Sequence, residues 1–319
     1  MSEIQSRSEV DLSSNIGKKT FKLPIISSPM DTVTGPEMAR AMSISGGFSV
    51  FHRYNSIEEQ VAMVHATHNE SCAGAIGVTG DYLERASALV ESGVFLLCVD
   101  VAHGHHINVK KAVESIKNKF GDNIMLMAGN VATAEAFSDL EDWGTDVIRV
   151  GVGGGSICST RIQTGHGIPT MHSIFLAANV ARKALIVADG GIKTAGDAVK
   201  CFAAGADFIM LGSLLAGTDE SPGQILSTND GKKFKVYRGM ASPEAQLDWR
   251  GEANSLEGIS TTVPYKGPVI DILKSLSQNI RSGLSYSGAR DLKSFRAKVK
   301  MVRQTQAGMQ ESFTHILKR

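Results

Sequence analysis

Short apolar runs rich in β-branched residues recur along the chain, each closing on or near Gly, Asp, Asn or His. They are PIISSPM (24–30), GFSVFH (47–52), AGAIGV (73–78), VFLLCVD (94–100), NIMLMAGN (123–130), DVIRVGV (146–152), LIVADGG (185–191) and DFIMLGS (207–213). Runs that are apolar at nearly every position, rather than at alternate ones, predict strands covered on both faces, as in a parallel sheet. Between them lie stretches such as SIEEQVAMVHATH and HINVKKAVESIKNKF, whose apolar positions recur at helical spacing. The approaches to the sixth and eighth runs, EDWGTDVIRVG and FAAGADFIMLG, repeat one design: a helix end, a Gly, then an Asp before the strand.

Eight such βα units in one uninterrupted chain predict an α/β fold of the (β/α)8, or TIM, barrel type, a single domain spanning 1–319 with its barrel core at about residues 23–217. An open doubly wound sheet is the rival arrangement. A barrel places its chemistry on the loops that follow the strands. The unusual residues stand there: MDT after the first run, HRY after the second, DVAHGHH after the fourth, AGN after the fifth, GGGSICST after the sixth, DGG after the seventh and GS after the eighth. Residues 218–268 carry TDESPG, TNDGKK and little periodicity, which predicts a long flap-like excursion over the barrel mouth. The helical stretches DILKSLSQNIRSG and DLKSFRAKVKMVRQTQAGMQESF then close the chain within 269–319.

Composition narrows the partners. The 319 residues are 42% hydrophobic and 20% charged, with a formal net charge of +1, which points to neither nucleic acid nor a membrane surface. The scattered aromatics form no base-stacking platform. No apolar run approaches the roughly 18–20 residues of a membrane helix, and the polar start MSEIQSRSEVDLSS has no signal-peptide core, so a soluble protein is expected. Cys72, Cys98, Cys158 and Cys201 show no CxxC spacing, which predicts reduced thiols and a cytoplasmic location.

The candidate chemistry centres on residues 151–169, GVGGGSICSTRIQTGHGIP. Gly151, Gly153, Gly154 and Gly155 leave the backbone free to turn N–H groups onto an anion or carbonyls onto a desolvated cation; a tight turn is the plain alternative. Cys98 and Cys201 fall within predicted core elements, whereas Cys158 follows the Gly-rich loop and reads as a nucleophile. Asp189-Gly190-Gly191 and Gly212-Ser213 follow the last two strands, the usual phosphate position in such a barrel. Asp189 is suited to accept from ribose hydroxyls, so a nucleoside monophosphate is the expected ligand. His103, His105 and His106 lack zinc-site spacing and read as a solvated or cofactor-facing loop, with Asp100 the better candidate for positioning a cofactor.

Taken together, GVGGGSICSTR with TGHGIP, SSPMDTVT, CVDVAHG, MAGNVAT, VADGGIK, MLGSLLAG, YRGMAS and LEG…VPYKGPV resemble the IMP dehydrogenase and GMP reductase family, in matching order over nearly the whole chain. The resemblance implies a barrel whose loop cysteine, Cys158, attacks C2 of a purine nucleotide to form a thioimidate, with Thr160 and Glu257 relaying protons. It implies nucleotide contacts by Ser156, Asp189, Gly190, Gly191, Gly212, Ser213, Tyr237, Gly239, Met240, Ala241 and Gly258. Backbone carbonyls of Gly153, Gly155 and Cys158 are implied to hold K⁺. Asp100, Val101 and Ala102, with Ser282, Ser285 and Tyr286 from a neighbouring subunit of a homotetramer, are implied to contact a nicotinamide cofactor.

Within the family, the resemblance leans to the reductase, which converts GMP to IMP with NADPH and releases ammonia. GMASPEAQLDWRGEANSLEG lacks the dehydrogenase's Arg-Tyr pair and is short, FHRYNSIEEQVAMVHATH runs into the third strand without room for paired regulatory CBS modules, and RSGLSYSGARDL resembles a reductase segment. DVAHGHH is closer to the dehydrogenase, and Asn254 stands where the reductase usually has Arg. The alternatives are a dehydrogenase without CBS modules, oxidising IMP with NAD, and a non-catalytic purine nucleotide-binding barrel.

Overall fold

The computed structural model describes residues 2–67, 71–253 and 257–314. Each apolar run contains one barrel strand: β1 (Ile25–Ser27), β2 (Phe48–Phe51), β3 (Cys72–Ile76), β4 (Leu96–Asp100), β5 (Met125–Val131), β6 (Val147–Val150), β7 (Leu185–Asp189) and β8 (Phe208–Leu211). All pair in parallel with their chain neighbours, and β8 pairs with both β7 and β1, Phe208 opposite Val187 and Ile209 opposite Ile25, so the sheet closes.

Closure explains the absence of alternation. One side chain of each pair fills the barrel, as do Phe48, Leu96, Val147 and Phe208, while the next packs under the helices, as do Leu97, Ile148 and Ile209. Phe21, Phe48, Phe95 and Phe208 cluster with ring centroids 4.7 to 6.0 Å apart. Phe21 comes from a hairpin, Ser14–Ile16 with Lys19–Phe21, that pushes Ile16 and Phe21 into the barrel near the strands' N-terminal ends. The hairpin strands SNI and KTF each bury a single residue, too little pattern for periodicity to reveal them.

The repeated Gly-then-Asp approach has a structural cause. Asp146 Oδ2 accepts from the Leu126 N–H at 2.7 Å, and Asp207 Oδ2 accepts from the Ile186 N–H at 2.8 Å. Each Asp therefore ties the start of its own strand to the preceding one, and Lys117 and Arg296 neutralise the two carboxylates.

The excursion after β8 is more ordered than its sequence suggests. It forms an antiparallel sheet of Leu226–Ser227, Lys233–Arg238 and Ser260–Pro264, with a helix at Pro243–Arg250. Its root is fixed by two lysines. Lys235 Nζ, buried, donates to the carbonyls of Thr218, Asp219 and Ser221 at 2.9, 3.2 and 2.6 Å, and Lys266 Nζ donates to those of Ser213 and Leu214 at 2.6 and 3.2 Å. Burial pushes both ammonium groups below their ordinary pKa.

The eighth barrel helix, Val269–Tyr286, buries Val269, Leu273, Leu276, Ile280 and Leu284 against the helices Ala195–Ala204 and Pro36–Ile44. The long final helix expected from the sequence is instead two short ones, Leu292–Lys298 and Gln306–Glu311. Leu292 and Phe295 are buried in the first and no residue is buried in the second, so no core supports continuous helix there. Among the described residues no helix is long and apolar enough to cross a membrane.

Candidate active site

A cleft of about 270 Å³ opens where the barrel strands end and the flap covers them. Asp100 at the end of β4, Arg149 in β6 and Asp189 at the end of β7 line it from below; Tyr237, Met240 and Glu257 line it from the flap.

The Cys158 loop is held by the returning flap. The Cys158 N–H donates to the Gly155 carbonyl at 3.1 Å, and Cys158 pairs with Gly258 as an isolated antiparallel bridge. On either side, the Ser159 N–H donates to Glu257 O and the Ile259 N–H to Ile157 O, both at 3.0 Å. This stitching aligns three side chains: Cys158 Sγ donates to Thr160 Oγ1 at 3.2 Å, and Thr160 Oγ1 donates to Glu257 Oε2 at 2.8 Å. The result is a continuous path from a thiol to a carboxylate. Cys158 is partly exposed, whereas Cys72, Cys98 and Cys201 are buried. Burial pushes the Cys98 and Cys201 thiols up to about 12, which removes both as thiolates near neutral pH.

Beneath the thiol lies a network that the sequence reading did not single out. Arg149 donates through Nη1 to Asp100 and through Nη2 to Asp189 Oδ2 at 2.8 Å. Asn130 Nδ2 donates to Asp189 Oδ2 and to the Gly151 carbonyl, each at 2.8 Å. Burial by itself lowers the Arg149 pKa, but Asp100, Asp189 and Cys98 carry it well above the ordinary value. The available signal was a charged letter inside an apolar run, DVIRVGV.

The flap is latched to the loops after β1 and β2. Arg238 Nε and Nη2 donate to Asp31 Oδ2 at 2.9 and 2.6 Å, and its Nη1 donates to Asp248. The Tyr54 and Trp249 rings lie 4.4 Å apart, and Arg53 Nε donates to the Asp100 carbonyl at 3.2 Å. Arg53 and Tyr54, of the HRY expected to stand at the barrel mouth, thereby join the cleft lining, although neither was assigned a role.

Most expected site residues converge. Cys158, Thr160, Glu257, Asp189, Gly190, Tyr237, Gly239, Met240, Ala241 and Gly258 line the cleft, as do Asp100, Val101, Ala102, Gly153 and Gly155. Ser156 falls outside the lining, and burial pushes the phenol of Tyr237 up. Gly212 backs the same tyrosine: a Cβ there would lie 3.1 Å from Tyr237 Oη. Gly191 follows Gly190 without joining the lining, and the Ser213 carbonyl accepts from Lys266. Ser282, Ser285 and Tyr286 lie outside the cleft on the eighth helix, with Tyr286 83% exposed. His105 Nε2 meets Asp139 Oδ2 at 2.8 Å, His106 caps the helix Ile107–Phe120, and His103 is exposed. Asn254 lies outside the described residues.

Residues 1–315 match the IMP dehydrogenase / GMP reductase domain. The chain is 45% identical over 255 residues to an inosine-5′-monophosphate dehydrogenase of Nitrosopumilus maritimus (strain SCM1), covering 76% of this chain and 53% of that protein. It is 45% identical over 254 residues to a GMP reductase of Leishmania major, covering 76% and 51%. The chain spans about half the length of the curated relatives it matches. Among solved structures, a GMP reductase from Trypanosoma brucei in complex with guanosine 5′-monophosphate superposes with a TM-score of 0.93 at 28% identity, covering 99% of this chain and 95% of that one. The barrel, the cleft and these matches agree: the chain belongs to the IMP dehydrogenase / GMP reductase family of oxidoreductases.

Proposed function

We propose that this protein is a GMP reductase, converting GMP to IMP with NADPH and releasing ammonia through a thioimidate on Cys158. The observation that carries the reading is the aligned relay from Cys158 through Thr160 to Glu257. Sγ forms a bond to C2 of the purine while the thiol proton moves toward Glu257 Oε2. The same relay returns a proton to the C2 amine as its bond breaks and ammonia leaves. A bound dihydronicotinamide would supply the hydride that adds at C2 of the thioimidate; the C2–Sγ bond then breaks, its electron pair returning to sulfur, so that IMP leaves and Cys158 is regenerated.

The cleft fits these ligands. Ser28 Oγ and Asn130 Oδ1 are buried polar atoms without a protein partner, which polar ligand groups satisfy. The loop 151–159 offers neutral carbonyls and no carboxylate, a donor set suited to K⁺ rather than a divalent ion, held by Gly153, Gly155 and Cys158. With Tyr286 exposed outside the cleft, its cofactor contact is proposed to serve a neighbouring copy in a homotetramer.

One observation favours the dehydrogenase as a second reading: Arg53 and Tyr54 form an Arg-Tyr pair that lines the cleft from the loop after β2. Against it, burial raises the Tyr54 pKa and so disfavours a water-activating phenolate. The described flap residues 239–253 contain no Tyr, and Arg250 stacks on Trp249 at 4.1 Å.

Absorbance of the reduced nicotinamide decides between the readings. Loss of signal with GMP and NADPH, accompanied by ammonia, supports the reductase; a rising signal with IMP and NAD replaces it with the dehydrogenase. A GMP-dependent rise in Tm without either change leaves a binding protein.

Gly151 supplies a further test. Its φ is +142°, and a Cβ there would lie 2.0 Å from the Asp189 carbonyl oxygen. Gly151→Ala is expected to displace the end of β7 and weaken GMP binding about 10- to 100-fold, as about 1–3 kcal/mol of strain is relieved at the site's expense. Calorimetry on a variant with unchanged circular dichroism checks it; undiminished affinity would show that GMP is not held at Asp189.

A further inference from the structure

One buried guanidinium serves two carboxylates of the cleft from different strands. Arg149 Nη1 donates to Asp100 Oδ1, while its Nε and Nη2 donate to Asp189 Oδ2 at 3.2 and 2.8 Å. Asn130 adds a third donor to that same Asp189 oxygen at 2.8 Å. Among the described residues, every hydrogen bond to the Asp189 carboxylate thus falls on Oδ2, and the one to the Asp100 carboxylate falls on Oδ1. Asp189 Oδ1 and Asp100 Oδ2 remain as acceptors, and both residues line the cleft. A planar fork of donors can orient two carboxylates at once; a lysine ammonium on a flexible stem cannot hold both planes.

We infer that Arg149 is a positioning residue whose guanidinium couples the nucleotide subsite at Asp189 to the dinucleotide subsite at Asp100, so that filling either tightens the other. The inference rests on the proposed function, in which GMP meets Asp189 and the cofactor meets Asp100. A ligand donating to Asp189 Oδ1 fixes the plane of that carboxylate and, through Nε and Nη2, the plane of the guanidinium. Nη1 then presents Asp100 already oriented. The second ligand meets an ordered acceptor and bears a smaller ordering cost, which is positive and reciprocal coupling. An ion pair that merely stabilised the barrel would produce no such linkage.

The test is calorimetric titration of GMP with and without saturating NADP⁺, which is already oxidised and cannot reduce GMP. In the parent protein NADP⁺ is expected to tighten GMP binding about 5-fold or more, and GMP to tighten NADP⁺ binding by the same factor. Arg149→Lys keeps the charge and is expected to bind GMP with the factor reduced to one. Asp100→Ala removes the acceptor at the bridge's other end and, with NADP⁺ raised until the variant is saturated, is expected to lose the factor while Asp189 stays held, which keeps the inference testable should Arg149→Lys fail to fold. GMP binding that ignores NADP⁺ in the parent, or a full factor in either variant, overturns the coupling. A parent that binds no GMP overturns the proposed function itself, and the coupling with it.

Discussion

Cys158→Ala is expected to lower turnover of GMP by about 10,000-fold or more while leaving GMP binding measurable by calorimetry. The size follows from losing the nucleophile of a covalent route, where removing one member of a reacting unit costs nearly as much as removing all of it. Binding survives because Asp189, Tyr237 and the glycine-lined wall are separate from Sγ. No other thiol substitutes: Cys72 is buried in β3, Cys98 sits within the barrel and Cys201 within a helix, and burial pushes the Cys98 and Cys201 thiols up to about 12. Turnover within a few fold of the parent would remove the thioimidate and leave direct displacement at C2.

Glu257→Gln carries the second largest effect, a fall in kcat of about 100- to 1,000-fold, the range of general acid–base assistance. The amide can still accept from Thr160 Oγ1, so the 2.8 Å contact has a successor, but it cannot take up a proton. The backbone carbonyl at 257 accepts from Ser159 whatever the side chain, so the Cys158 loop stays stitched to the flap. The prediction is therefore a kcat loss with little change in Tm, read from steady-state kinetics and thermal melting on the same preparation. A variant with parental kcat would take Glu257 out of the relay; a variant that melts many degrees lower would show that the side chain holds the flap instead.

The barrel was legible because burial on two faces writes itself locally. DVIRVGV and LIVADGG each announce a strand without reference to any other part of the chain, and chain order then dictates neighbour order, since adjacent parallel strands are joined by a helix. Cys158 was legible for a similar reason, as the one thiol next to a run of glycines at a strand's end. The flap sheet was harder to see. Lys233–Arg238 buries only Lys235 and Tyr237, and Ser260–Pro264 buries no residue, so burial writes little apolar pattern on them and their pairing defines them.

The chain's own order of residues determined eight strands, their helices, the loops on which chemistry stands and the family to which those loops belong. Tertiary structure alone decided which loops meet. Glu257 reaches Thr160 across 97 positions, Asn130 reaches Asp189 across 59, and Arg149 spans 49 to Asp100 and 40 to Asp189. Local periodicity reports which face of an element is buried, within a turn or two. Only when β8 closes on β1 do the ends of β4, β6 and β7 converge beneath one flap, and only that convergence assigns each carboxylate its guanidinium, hydroxyl or amide partner.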